Sequence, residues 1–348
     1  MPIHPNNARS STDLIPESAP EPATKKALEF ATFGVPFHLL NFRFIFKTMH
    51  AAHPLVHPVT LTLPKLPASL QGLRIVHLTD LHITRPTRRH KLLVKLLNAI
   101  NADLILLTGD YMTHPGHEDA SEKVMRELAS HFKARLGTYG VYGNHDTMDL
   151  RTRLHDLPGV TWLNNQTHPL PDLPLEIVGM ETLKYVYPDS VAMLGHQTKH
   201  ASNDAINAAN AINANHDTND TEPAAQAVPV QQSADVKDLP LRIMLCHHPT
   251  YLPVASDLGV DLMLSGHTHG GQCRLPFKRA ILNSTDLPMH LTSGVLRHRD
   301  TLGLVSRGLG EVHLPLRVFC PPQLPVYELK RGPLVGEHSS HMVNHQAW

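Results

Sequence analysis

Five short apolar runs in this chain each stop at a cluster of oxygen and nitrogen donors. "LRIVHLT" (73–79) leads to Asp80 and His82, "ADLILLTG" (102–109) to Asp110, and "GTYGVYG" (137–143) to Asn144, His145 and Asp146. "LRIMLC" (241–246) leads to His247 and His248, and "VDLMLS" (260–265) to His267 and His269. Short apolar runs bounded by glycine and polar residues read as buried strands. "LEIVGME" (175–181) and "PVYELKRG" (325–332) follow the same theme, while "KLLVKLLNAI" (91–100) has helical spacing. The order strand, helix, strand over 73–110 predicts a parallel pair in an α/β domain. In such sheets ligands gather outside the carboxyl ends of the strands. The five polar clusters are therefore expected to meet at one site.

Carboxylate and imidazole donors, with no thiolate required, suit Mn, Fe, Zn, Ni or Co better than Ca alone. In "DLH" and "HTH" the two donors are two residues apart, so an extended backbone would turn both to one side. Gly109 and Gly143 precede Asp110 and Asn144, where a Cβ would obstruct a sharp turn. Each piece is weak alone. A lone DxH arises by chance and a Gly-Asp pair is usually a turn. His77 reads as a strand side chain and His248 as the neighbour of a ligand. The case rests on all five clusters occurring in order, each after a strand.

The chain has 348 residues, 41% of them hydrophobic, which is enough for a substantial core, and 31 basic residues balance 31 acidic ones. That balance gives no global field for nucleic acid, and no specific nucleic-acid binding is expected. Cys246, Cys273 and Cys320 form neither a CxxC motif nor an even framework. A reducing, cytoplasmic compartment is the natural reading, with one disulfide plus one free thiol as the alternative.

Residues 1–26 are Pro-, Ser- and Glu-rich and read as disordered. Residues 27–57 form a Phe-rich amphipathic segment, with six of the nine Phe of the chain between 30 and 46. Its longest uncharged stretch falls short of the ~20 residues that span a bilayer. Two readings stay open for residues 27–50: a helix packed on the domain, or a helix lying in a membrane interface. A domain over 58–332 follows, interrupted at about 190–238 by an Asn/Ala/Gln-rich insertion that reads as a surface loop. Residues 333–348 read as a polar tail.

"DLH", "GD", "GNHD", "H" and "GHTH", in this order, resemble the calcineurin-like metallophosphoesterase superfamily over roughly residues 73–330. "SGHTHGGQCRLP" (265–276) and "VSRGLGEVHLPLRVFCPPQLPVYEL" (305–329) resemble its YkuE/YaeI-type bacterial phosphodiesterase branch. The resemblance implies a four-layer α-β-β-α sandwich with two central mixed sheets. It implies two divalent ions, Mn, Fe, Zn or Ni with Mn favoured. Asp80, His82 and His269 match the ligands of one, Asn144, His247 and His267 those of the other, and Asp110 the carboxylate that bridges them. His145 matches the histidine that contacts the phosphate and protonates the leaving group. Asp146 matches the residue that orients His145. Thr79 stands where Ser is common in the branch.

The function expected is a binuclear phosphohydrolase cleaving phosphodiester or pyrophosphate bonds through metal-activated hydroxide. Arg307 in "SRGLG" has two readings, a bidentate phosphate contact or a structural ion pair. If residues 27–50 touch membrane, the enzyme is peripheral on its inner face and lipid-linked substrates such as UDP-diacylglucosamine become attractive. A soluble nucleotide phosphodiesterase or broad phosphatase is the alternative. A non-catalytic metal-binding scaffold is disfavoured by His145, which such a scaffold does not need. Substrate identity and oligomeric state have no readable code.

Overall fold

The structure is a computed structural model that describes residues 53–181, 239–275, 280, 285, 287–334 and 343–346. The Phe-rich stretch 27–50 and the insertion 190–238 lie outside the described residues. No helix among the described residues is long and apolar enough to cross a membrane.

Strict alternation along the central strands builds two sheets and three cores. Strand β1 (Leu55–Leu63) is followed by β2 (Arg74–Leu78), helix α1 (Arg88–Ala99), β3 (Leu104–Leu107), helix α2 (Glu118–Ala129), β4 (Thr138–Gly140), helix α3 (Met148–Leu154) and β5 (Val160–Trp162). Strands β6 (Gln166–Pro169), β7 (Leu175–Met180), β8 (Leu241–Cys246), helix α4 (Leu252–Asp257), β9 (Leu262–Ser265), β10 (Gly294–His298), β11 (Thr301–Val305), β12 (Gln323–Arg331) and β13 (Val343–Gln346) complete the order. One sheet runs β1-β12-β2-β3-β4-β5 and the other β13-β10-β11-β9-β8-β7-β6. Both mix parallel and antiparallel pairs, as expected.

Ile75, Leu104, Leu106, Ile177, Ile243, Leu245, Leu262 and Leu264 fill the space between the sheets. Their neighbours Val76, Ile105 and Leu107 face the other way, onto Leu93 and Leu97 of α1, Val124 and Leu128 of α2, and Leu150 of α3. Val178, Met244 and Met263 do the same in the second sheet, against Leu252 and Ala255 of α4. A period of two thus gives each strand two apolar faces and the domain its α-β-β-α layers. The strand–helix–strand unit expected over 73–110 is present, with β2 and β3 parallel.

Three boundaries differ from the sequence reading. The first strand begins at Leu55, inside the stretch assigned to the Phe-rich segment, because it pairs residue for residue with β12. Val343–Gln346, assigned to a polar tail, pair with β10 as an edge strand, where polar side chains are tolerated. Helix α1 starts three residues before Lys91, because Thr87 forms a capping box in which His90 takes the place usually held by Glu or Gln.

In that box the backbone N–H of Thr87 donates to His90 Nδ1 at 3.1 Å. The acceptor must be unprotonated, and burial followed by the Arg89 charge lowers the His90 pKa from 6.5 to about 4. The unfolded chain therefore takes up a proton that the native state refuses. This contribution is complete above pH 6.5 and is lost as pH falls toward 4. Urea unfolding should lose about 2 kcal/mol through this group between pH 7 and 4, allowing for partial solvent screening. His90→Gln keeps an acceptor without the titration, so its pH slope should be shallower by that amount. Identical slopes would contradict this role.

Candidate metal centre

The carboxyl ends of β2, β3 and β4 lie side by side in one sheet, and those of β8 and β9 in the other. The sheet edges are joined through the site. His247 Nδ1 contacts the Thr108 carbonyl at 2.7 Å, and the His267 N–H donates to Asp80 Oδ1 at 3.0 Å.

Two groups of ligand-type atoms result. Asp80, His82 and His269 form one, and Asp110, His247 and His267 the other. His82 Nε2 and His269 Nε2 are 3.0 Å apart, with Asp80 Oδ1 3.4 Å from His269 Nε2. His247 Nε2 and His267 Nδ1 are 3.3 Å apart. Asp110 Oδ2 lies 3.0 Å from His247 Nε2 and 3.5 Å from His82 Nε2, so one carboxylate oxygen reaches both groups.

His247 Nδ1 faces a carbonyl, so it carries a ring proton, and Nε2, which faces Asp110 Oδ2, is the nitrogen a cation would take in place of a second proton. Two imidazole nitrogens meeting head-on at 3.0 Å, beside buried carboxylates, form the donor set a divalent cation completes. Buried charge accounts for the electrostatics. Burial, and secondarily the Asp110 charge, lifts Asp80 to about 6, with His247 opposing. Burial opposes the charge on Asp110, yet His247 and its hydrogen bond hold the carboxyl well below the usual range. Burial likewise pulls His247 down, but Asp110 and Asp80 carry it to about 9. Burial pushes His82 to about 3.

The split of His267 and His269 between two groups agrees with the sequence reading, but its geometric reason does not. The backbone is not extended there. Asp80, His82, Asp110, His267 and His269 all have φ between 44° and 68°. Thr268 between the histidines is in the right-handed helical region, and its hydroxyl donates to the Thr292 carbonyl. Left-handed conformations at non-glycine residues are held only where surrounding contacts compensate them. Here paired loops do so: Asp80 N–H donates to the Gly109 carbonyl and His82 N–H to the Asp110 carbonyl. Gly109 and Gly143 are needed because the two turns touch. A Cβ on Gly109 would sit 2.3 Å from the Gly143 nitrogen, and one on Gly143 would sit 2.2 Å from Asp110 Oδ1.

His145 lies beside the first group, its ring 5.0 Å from that of His82. Its Nδ1 meets the Thr113 carbonyl at 2.7 Å and its backbone N–H donates to Asp110 Oδ1 at 2.9 Å. No hydrogen bond joins the Asp146 carboxylate to the His145 ring among the described residues. That carboxylate accepts the N–H groups of Asp110, Tyr111 and Gly143 at 2.9, 2.7 and 2.8 Å. It clamps the turn after β4 to the loop after β3, while the Thr113 carbonyl holds His145. Asn144 is exposed on the same turn, and its amide makes no hydrogen bond among the described residues. His77 is an interior strand residue bonded to the Thr108 hydroxyl at 2.7 Å, and His248 stacks on His267 at 3.6 Å.

Arg307 is buried, and no ion pair joins it to a carboxylate among the described residues. Arg317, unmarked in the sequence, is the arginine that braces the site. Its guanidinium donates to the carbonyls of Arg307 and Gly310 and lies 3.3 Å from His269 Nδ1. A cavity of about 270 Å³ opens beside His82, with Arg85 and Arg88 on its wall.

A family profile described as calcineurin-like phosphoesterase matches residues 73–271. The chain is 28% identical to the uncharacterized metallophosphoesterase YkuE of Bacillus subtilis, over 76% of this chain and 82% of that one. It is 25% identical to the UDP-2,3-diacylglucosamine pyrophosphatase LpxG of Chlamydia muridarum, over 75% and 85% of the two chains. With the phosphodiesterase YaeI of Escherichia coli it shares 26% identity over 74% and 82%.

Proposed function

The chain belongs to the calcineurin-like phosphoesterase family and is a hydrolase of phosphoric esters, and we propose that it cleaves phosphodiester or pyrophosphate bonds at a binuclear centre. The observation that carries this reading is the shared Asp110 Oδ2, within 3.5 Å of imidazole nitrogens from both triads. In the proposal Asp80, His82 and His269 hold one divalent cation, Asn144, His247 and His267 the other, and Asp110 both. Manganese is the favoured metal. When bound, the two cations neutralise phosphoryl charge and lower the pKa of a water held with them.

The protein's own groups do the rest. Thr113 fixes the proton on His145 Nδ1, leaving Nε2 as the atom that meets substrate, stabilises a phosphoryl oxygen or, protonated, donates to the leaving group. The His145 N–H occupies Asp110 Oδ1, which leaves Oδ2, between His82 and His247, as the oxygen that would bind the cations. Asp146 and Arg151 lock the turn that carries His145: the Arg151 guanidinium donates to the carbonyls of Asp146 and Gly143 at 2.9 and 3.0 Å.

A lipid-linked substrate is the finer proposal, drawn from the activity named for LpxG and from the Phe-rich segment 27–50. With it goes peripheral attachment to the inner face of the membrane, on the cytoplasmic side, in keeping with three free cysteines. The test is a panel on manganese-loaded protein: an aryl phosphodiester, UDP-glucose, nucleotides, and UDP-2,3-diacylglucosamine in vesicles. His145→Ala should lower kcat by roughly 10²–10³-fold on any accepted substrate while metal content is retained. Full activity in that variant contradicts the assigned role. A preference for the vesicle substrate that vanishes without residues 1–52 supports the lipid reading, and equal turnover by both forms removes it.

A further inference from the structure

A second cluster of imidazoles stands outside both triads. The ring centroids of His145 and His313 are 6.4 Å apart, those of His114 and His313 6.3 Å, and those of His114 and His145 6.4 Å. The three rings form a nearly equilateral triangle and come from three separate loops. His114 directly follows Thr113, whose carbonyl holds His145. His313 lies between β11 and β12, at φ 59°. One corner, His145, is also the ring next to His82. The triangle therefore begins at the metal centre and extends outward, to His114 and His313, which are exposed.

The spacing excludes direct stacking of the kind seen between His248 and His267 at 3.6 Å. The three rings also fall outside the groups whose ligand atoms converge on a metal. What such an array offers is several imidazole N–H donors around one small volume. An anion seated among the rings accepts a hydrogen bond from each ring that presents an N–H to it.

We propose that His114 and His313, together with His145, hold the phosphoryl group adjacent to the one attacked, so that the site prefers diphosphates over single phosphodiesters. The inference rests on the phosphohydrolase reading above and names its substrate class. His114 and His313 are specificity residues in this scheme, reaching the substrate one phosphorus away from the reacting centre.

The experiment compares binding of two non-hydrolysable probes to manganese-loaded full-length protein by calorimetry. P1,P2-dimethyl methylenediphosphonate carries two phosphorus centres and methyl methylphosphonate carries one. The expected result is a preference for the diphosphonate of roughly tenfold or more, falling to about threefold or less in the double variant His114→Gln/His313→Gln. Each single variant should fall between. No preference in the wild type, or an undiminished preference in the double variant, overturns the inference. Loss of a bound metal equivalent from the double variant overturns it too, by making the cluster a metal site. Turnover of the aryl phosphodiester separates the two levels. Normal turnover without diphosphonate preference sinks only this inference, whereas no turnover and no phosphonate binding sink the phosphohydrolase reading with it.

Discussion

Asparagine in place of Asp110 is expected to lower kcat/KM for a phosphodiester by at least about 10³-fold and to empty both cation positions. The carboxylate is 1% exposed and is shared by the two triads. An asparagine oxygen can still take the His145 N–H that Asp110 Oδ1 accepts at 2.9 Å, so the turn keeps its anchor. The other atom becomes an NH2 group facing His82 and His247, with no charge and no lone pair for a cation. Loss of metal-based charge stabilisation is worth several kcal/mol, and each 1.36 kcal/mol is tenfold in rate. Metal analysis, kcat/KM and Tm should be read on the same preparation. A variant with two bound metals and activity within about tenfold of the parent would remove Asp110 from the bridging position.

Asp146→Asn should act mainly on stability, lowering it by about 3 kcal/mol, or roughly 5–10 °C in Tm. The Asp146 carboxylate collects three backbone N–H groups from two loops. An amide has one acceptor atom, so either orientation turns an NH2 toward at least one buried N–H. Hydrogen bonds to an ionised group are each worth ~1.5–3 kcal/mol, which sets the scale. Part of the loss is offset, because burial and then the nearby Asp110 charge already disfavour the ionised form and lift its pKa to about 6. Denaturant unfolding of the apoprotein checks the stability, and kcat checks the alternative role. A residue that only orients His145 would lose kcat with little change in unfolding midpoint, and that outcome would contradict the clamp.

The strands that were readable in sequence are those buried on both faces. β2, β3, β8 and β9 are largely apolar runs, and their polar ends locate every residue of the two triads. β1 was not readable: "LVHPVTLTL" contains a proline, half of it is solvent-facing, and its partner β12 lies more than 260 residues away. β5 and β6 are edge strands of three and four residues with polar faces, too short for an alternation to register. Backbone conformation at the site has no signature in the sequence. Donors two apart suggested extended chain, whereas the protein uses left-handed residues at Asp80, His82, His267 and His269, held by loop-to-loop hydrogen bonds invisible in sequence. The clamp made by Asp146 has no signature in sequence for a related reason, since a need for backbone acceptors leaves no mark in side-chain spacing. His114 and His313 are separated by nearly two hundred residues, and only the meeting of their loops joins them to His145.

Manganese-edge anomalous diffraction from crystals of the manganese-loaded protein tests the central claim most directly. Two peaks about 3.5–4 Å apart are expected, one beside Asp80, His82 and His269, the other beside His247 and His267, with Asp110 Oδ2 bound to both. A single peak, or two peaks that do not share Asp110, would contradict the binuclear account.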